Sequence, residues 1–383
     1  MGMKQKIRMI PLALAFLMGS TGVFLYPKET IRSVKEDMTQ VSEEQFCYMQ
    51  TPFIESADTD TVLLENGNWK QYIAVDRQYT KEQTEKDAEL FAQGEHIVEV
   101  EEQPDQYRYV YSNNSTLVDG RYRICYNTPQ NEKIGYERYI KGNKQGLWKD
   151  KESAFPLEEL EDLSCSEAIE QIQTLCSRLG VALSEEAPEV YVMDAQHMTD
   201  LMLQSDTLQY YKTKKQYSKV NQGEEITWTK DDEVYYMIFQ INMQELPLTE
   251  KGFDTASNFA AGSEVVAAVG RNGIQYFQAE GLYNIIMAEE LEGSICSAVE
   301  AMKVMKSNCA YTDGFATRTV SEMKMVYVPV GTQDAALHTY TVRPYWECMI
   351  TYVKTTQRDG QTFAYTVEDV VLIDAVTKAV YQG

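Results

Sequence analysis

Residues 164–193 read SCSEAIEQIQTLCSRLGVALSEEAPEVYVM, and this stretch sets the fold class. Ser164 and Glu167 have the spacing of a capping box, in which each side chain satisfies the other residue's backbone N–H at a helix start. Ile169, Ile172, Leu175, Cys176 and Leu179 then recur on one helical face, and Gly180 supplies a residue at which the helix can stop. Glu189 to Met193 follows as a strand. A helix with one apolar stripe must bury it, and an antiparallel sheet with one apolar face offers a matching surface. The stretch predicts an α+β fold.

The same order recurs downstream. After a polar insertion at about 194–231, with a helix near 197–203, come strands at 234–243 and 265–278, the second bent at Asn272-Gly273. A second helix is predicted over 294–306, with Ile295, Ala298, Val299, Met302 and Met305 inward. Strands follow at 321–330, 340–354 and 365–381. Val265-Val266-Ala267-Ala268, running on to Tyr276-Phe277-Gln278, matches Val370-Val371-Leu372-Ile373, running on to Val380-Tyr381-Gln382, as a pair of closing strands. Two helix-plus-antiparallel-sheet units are therefore expected in tandem, at 160–285 and 290–383.

Upstream, residues 46–150 read as a mostly-β domain. Glu65-Asn66-Gly67-Asn68 between two apolar-rich arms is a hairpin signal. Tyr107, Tyr109 and Tyr111 alternate, as do Tyr122, Ile124 and Tyr126 after the Asp119-Gly120 turn, so each set shares one sheet face. One helix at about 81–93 interrupts the strands, and the polar stretch 141–150 marks a boundary. Residues 27–45 are polar and read as a tether. Before them, Lys4, Lys6 and Arg8 precede an uncharged run over 9–26, MIPLALAFLMGSTGVFLY. A run of 18 residues at about 1.5 Å each only just spans a bilayer core of about 30 Å. Residues 1–26 are read as a signal anchor or signal peptide that leaves the basic end inside and sends the remainder out. Ser20 stands where a lipoprotein signal needs its cysteine, so no lipid thioether is expected.

The helix–strand–strand–strand unit that closes on Val371-Leu372-Ile373-Asp374-Ala375-Val376-Thr377-Lys378-Ala379-Val380 resembles PepSY-like domains, which often finish on a strand reading IDA.TG.V; Lys378 stands here in place of the Gly. Two such units behind one N-terminal segment are similar to the YycH/YycI type of Gram-positive extracytoplasmic regulators of a sensor kinase. The resemblance covers about 160–383 and is one of architecture. It implies a non-catalytic protein that works by contact with a protein partner at the membrane, such as a sensor kinase or a co-encoded membrane protein.

The chain's chemistry narrows the other classes. Of 383 residues, 44% are hydrophobic, and the net charge is −23. The apolar content supports a packed core, and the negative charge repels nucleic acid at long range. Cys47, Cys125, Cys165, Cys176, Cys296, Cys309 and Cys348 are scattered without a C-x-x-C pair, so they read as small buried residues and not as a metal or redox motif. His96, His197 and His338 lack metal-ligand spacing. No cofactor-binding or nucleophile-elbow motif occurs. The acidic runs Glu158-Glu159 with Glu161-Asp162, Asp231-Asp232-Glu233 and Glu289-Glu290 read as solvated loops and helix starts. The 26 tyrosines read as sheet faces packed on helices, with a solvent-facing platform for cell-wall glycan or peptide as the alternative. Pro344 in Arg343-Pro344-Tyr345-Trp346 removes a ladder donor, so an edge or bulge is expected there, and such an edge can take a partner strand. Arg343, Tyr345 and Trp346 are accordingly the candidate partner-binding residues, with no catalytic or metal residue and no cofactor. The function expected is non-catalytic extracytoplasmic binding or regulation; glycan or peptide binding and a secreted hydrolase are the alternatives.

Overall fold

The computed structural model describes residues 69–144, 154–204, 227–291, 293–312, 318–332, 338–358 and 361–382. The expected export segment, tether and 65–68 hairpin turn lie outside these residues. No helix among the described residues is long and apolar enough to cross a membrane.

In chain order, the first part runs β1 (Lys70–Asp76), α1 (Lys81–Leu90), β2 (Ile97–Gln103), β3 (Gln106–Tyr111), β4 (Thr116–Gly120), β5 (Arg123–Asn127), α2 (Pro129–Ile134) and α3 (Glu137–Lys144). Next come α4 (Cys165–Leu179), β6 (Glu189–Met193), α5 (Ala195–Gln204), a 3-10 turn (Lys230–Asp232), β7 (Val234–Gln240), β8 (Asn242–Met243), β9 (Leu246–Pro247), β10 (Phe253–Asp254), β11 (Asn258–Ala260), β12 (Glu264–Gly270), β13 (Gly273–Glu280) and β14 (Tyr283–Glu290). The chain continues with α6 (Ala298–Thr312), β15 (Arg318–Thr332), β16 (Thr339–Arg358), β17 (Gln361–Asp374) and β18 (Val380–Gln382). The fold is α+β, mostly strand, as the helix-then-strand pattern predicts.

The strands form two large antiparallel sheets. One has the order β2-β3-β4-β5-β13-β12-β7-β6. The other runs β10-β11-β15-β16-β1-β14, with β17 and β18 continuing from the far part of β16. Each of α1, α4 and α6 precedes strands that pair in chain order: β2 to β5, then β6, β7, β12 and β13, then β15 to β18. Strands from 97–127 and from 189–280 share one sheet, because β5 pairs with β13 from Tyr276↔Asn127 to Glu280↔Arg123. A boundary near residue 150 therefore does not separate two sheets. Likewise β1, from the early part of the chain, lies between β16 and β14 in the other sheet.

The helices form where the local signals place them. Ser164 Oγ accepts from the Glu167 N–H at 3.3 Å, and Glu167 Oε2 accepts from the Ser164 N–H at 3.1 Å. Gly180 ends α4 with φ of 73°, in the left-handed region that glycine enters without a Cβ clash. Ala168, Ile172, Leu175, Cys176 and Leu179 are buried, each aliphatic contributing roughly 1.5–3 kcal/mol by leaving water. The tyrosines of β3 hold α1: Tyr109 and Thr84 hydroxyls meet at 2.7 Å, and Tyr111 donates to the Ala88 carbonyl at 2.7 Å. The reading of strand tyrosines as helix-packing residues holds here, although Tyr122, one residue before β5, is 51% exposed.

Four local readings need correction. The stretch at 141–150 expected as a polar boundary loop begins inside α3, which runs to Lys144. The helix expected at 294–306 begins at Ala298, because Ser297 and Glu300 make the reciprocal cap. Ala298 and Met305 face inward as expected, whereas Val299 faces outward, 56% exposed, and Ala301 is the additional inward residue. Asn272-Gly273 is not a bend in one strand but part of a tight reversal between β12 and β13, in which Gly270 pairs with Gly273. Gly273 has φ of 87° there, a conformation that a side chain at this position would resist. The strand expected over 365–381 is also a hairpin. Asp374 Oδ1 accepts from the N–H groups of Val376 and Thr377, both at 2.9 Å, and closes the turn between β17 and β18.

Lys378 occupies that turn with φ of 62°. This is the position at which the IDA.TG.V pattern has Gly, and the backbone gives the physical reason: the residue sits in left-handed space. Replacing Lys378 with Gly should raise the thermal midpoint by about 1–3 °C, despite loss of its exposed pair with Glu300. A fall in a calorimetric scan would mean that the Lys378–Glu300 pair outweighs the backbone relief.

Candidate functional site

The residues named from the sequence lie inside the fold. Tyr345 is 1% exposed and Trp346 is fully buried. As neighbours on a strand they face opposite sides of the sheet. Trp346 joins the main core, which also contains buried residues of α1, α4, α6 and both sheets, and its Nε1–H donates to the Cys296 carbonyl at 2.9 Å. Tyr345 packs in a smaller core with Phe253 and the β18 residue Tyr381. The Arg343 guanidinium lies 3.8 Å from the Asp374 carboxylate and is about one-third exposed.

Pro344 does interrupt a ladder, but it does not make a free edge. On one side β15 runs past it, pairing Tyr327 with Pro344. On the other, β1 pairs up to Val342 and β17 starts at Tyr345. The missing N–H falls at the change of partner, and the Pro344 carbonyl accepts from Ala375 N–H at 3.1 Å. A contact role for Tyr345 and Trp346 is replaced by a structural one, because both faces of β16 are covered at this point.

An open cleft lies elsewhere, with a volume of about 390 Å³. It is built from the loop before α4, the start of α5, and the segment entering β7. Leu157 and Leu160 form apolar walls, and Trp228 contributes to the lining. Trp228 is held from below by an Nε1–H bond to the Tyr139 hydroxyl at 2.9 Å and by edge contacts with the rings of Tyr136 and Tyr139. Glu159, Glu161, Asp194 and Glu233 set the charge against Lys230.

Glu159 and Glu161 come from one acidic run, Glu233 from another about 70 residues on, and Asp194 from the start of α5, and each is held by a nearby partner. Asp194 caps α5, its Oδ1 accepting from the N–H groups of Gln196 and His197 at 3.1 and 3.0 Å. Glu233 Oε1 accepts from the Ala195 N–H at 3.1 Å. Glu159 Oε2 accepts from the Cys165 N–H at 2.8 Å and lies 2.8 Å from the Tyr235 hydroxyl, which receives the Leu160 N–H at 2.7 Å. Lys230 pairs with Glu161, and Arg271 bridges Asp162 and Asp231. Glu161, Asp162 and Asp231 of the acidic runs are exposed, as expected, and two cations at the surface link one run to the other. Sequence spacing could not show this, though both runs were visible as acid-rich.

The histidines are placed separately, before β2, in α5 and before β16. His197 Nδ1 lies 2.7 Å from Asp194 Oδ2, and that carboxylate is engaged in capping the helix. His338 Nδ1 lies 3.1 Å from Asp76. Among the described residues no group of His, Cys, Asp and Glu is arranged to hold a metal ion. Cys176 and Cys296 are buried free thiols, Cys125 and Cys165 are half-buried ones, and Cys348 is buried. Burial pushes the Cys176 thiol up to about 12 and the Cys125 thiol up to about 11, away from thiolate chemistry at neutral pH.

No family model matches the chain, and no curated protein matches it. Among solved structures it is similar to the crystal structure of an uncharacterized protein from Eubacterium rectale ATCC 33656, with a TM-score of 0.56 and 16% identity over 82% of this chain and 86% of that one. At this identity the likeness concerns the fold.

Proposed function

We propose that the protein is a non-catalytic extracytoplasmic binding or regulatory protein, held or delivered by residues 1–26, that acts by contact with a protein partner at the membrane. The observation that carries this reading is the cleft over Trp228. Apolar walls beside four carboxylates and one ammonium suit a peptide segment that presents a basic side chain next to an aliphatic one. The repeated helix-then-antiparallel-strand order, with the Asp374 turn and its left-handed residue 378, supports a tandem of PepSY-like units. A glycan platform draws less support, since Tyr109, Tyr111, Tyr235 and Tyr345 are all interior.

The cleft mouth can be altered without touching its supports, because Leu157 is 40% exposed and Gln196 is exposed. The double variant Leu157→Arg, Gln196→Arg should keep its thermal midpoint within about 2 °C, as exposed substitutions generally do. It should lose at least about tenfold in retention of the partner when full-length protein is purified from its native membranes, equivalent to about 1.4 kcal/mol. Undiminished retention would remove the cleft from the proposal.

A further inference from the structure

β1 leaves the second sheet at Asp76, and the next residue grips the first. The Arg77 guanidinium meets Asp87 of α1 at 2.7 Å, pairs with Asp119 of β4, and donates to the Gly120 carbonyl at 3.1 Å. Asp87 is also held by Gln83 Nε2 at 2.8 Å. The Asp119 and Asp87 side chains are 0% and 1% exposed, and Arg77 only 11%. Two carboxylates therefore enclose one guanidinium in a nearly dry joint, and Asp119 Oδ2 is buried without a hydrogen-bond donor. With both acids ionised the joint carries a net negative charge and an unsolvated oxygen, an arrangement that costs several kcal/mol in a protein interior. One proton between the acids makes the joint neutral and gives that oxygen a partner.

We propose that this joint is a proton-held latch, in which a proton shared by Asp87 and Asp119 keeps α1 and β4 closed on Arg77 and its loss frees the β1–α1 corner to open. Both carboxyl groups lie against the one guanidinium, and burial, opposed by Arg77 and reinforced by Asp87, pushes the Asp119 carboxyl up to about 7. The surrounding groups are identifiable. Tyr109 and Tyr111 of β3 and Tyr79 lie within electrostatic reach of Asp119, and Glu85 of α1 lies near Tyr109. Asp105, Arg121 and Tyr107 surround Tyr79 nearby. Asp76 faces His338 and Tyr340 on the other sheet. Because the folded-state value lies above the ordinary carboxylate value, the contribution to stability is present at acid pH and is lost as pH rises through about 7. Closure is therefore strongest on the acid side and weakened, though still favoured, on the alkaline side.

The test is hydrogen exchange of the full chain at about pH 6 and about pH 8.5, corrected for intrinsic exchange. Wild-type protection of α1 and β4 amides should fall at least about tenfold at the higher pH, while α4 and β7 amides hold. Asp119→Asn should abolish the difference, and His338→Asn, which alters the neighbouring contacts with Asp76 and Tyr122 and none at Arg77, should retain it. Infrared absorption of a buried protonated carboxyl, present at about pH 6 and lost at about pH 8.5 in wild type, reads the same proton should Asp119→Asn fail to fold. A wild-type protein with equal protection at both pH values, a difference that survives Asp119→Asn, or the absence of the carboxyl band would each overturn the latch.

Discussion

Trp346→Ala should destabilise the protein by about 3–5 kcal/mol, the range for removing a large buried ring when the core cannot collapse around the space. The ring is fully buried in the main core, and its loss would also leave the Cys296 carbonyl without the Nε1–H donor at 2.9 Å. Cys296 N–H in turn donates to Ala375 O at 2.7 Å, so the indole ties the segment before α6 to the turn that closes β17 on β18. Trp346→Phe should cost less, about 1–3 kcal/mol, since it keeps an aromatic body and gives up the hydrogen bond and some volume. Urea unfolding followed by far-UV circular dichroism measures both. A cost below about 0.5 kcal/mol for the alanine variant, typical of an exposed site, would mean that Trp346 is a surface residue after all. The consequence for binding experiments is direct: loss of a partner in Trp346 variants reports unfolding, not a missing contact.

Arg77→Met should cost about 3–5 kcal/mol near pH 8, because it removes the cation and leaves Asp87 and Asp119 buried without it. The penalty should shrink toward about pH 5, where the Asp119 carboxyl, raised by burial, is protonated and neutral. Adding Asp87→Asn and Asp119→Asn to Arg77→Met should recover most of the lost stability at pH 8, since replacing a whole buried ion cluster costs less than breaking it. A denaturation series over pH for the three proteins decides the matter. An Arg77→Met penalty that is small, or that grows as pH falls, would contradict the placement of two carboxylates around this guanidinium.

Local signals were the legible part of the sequence. Ser164, Glu167 and Gly180 fix α4 through groups within three residues of its ends, and those interactions do not depend on the rest of the chain. The tyrosine alternation in β3 was readable because a strand has a period of two whatever it packs against. Closure of a chain on itself was harder to read. Asn272-Gly273 carried turn residues, yet a bend and a full reversal share the same residues and differ only in the pairing they permit, while 375–379 (AVTKA) carried none and turns only because the Asp374 side chain caps it. Pro344 announced a break in a ladder correctly. Whether the break was an outer edge or a change of partner depended on β1, more than 250 residues earlier in the chain. The cleft was the least legible feature, because residues 157–161, 194–199 and 228–233 meet only after α4, α5 and β7 have docked. Its acids were visible and its geometry was not.

The most direct test of the account places a photo-activated cross-linker singly at Leu157, at Glu170 on the exposed face of α4, and at Val299 on the exposed face of α6, in the full-length protein in its native membranes. The account predicts one membrane protein attached from Leu157, lost when Gln196→Arg is added, and no product from Glu170 or Val299. Equal products from all three positions, or products from Glu170 and Val299 alone, would contradict a contact protein that works through the cleft.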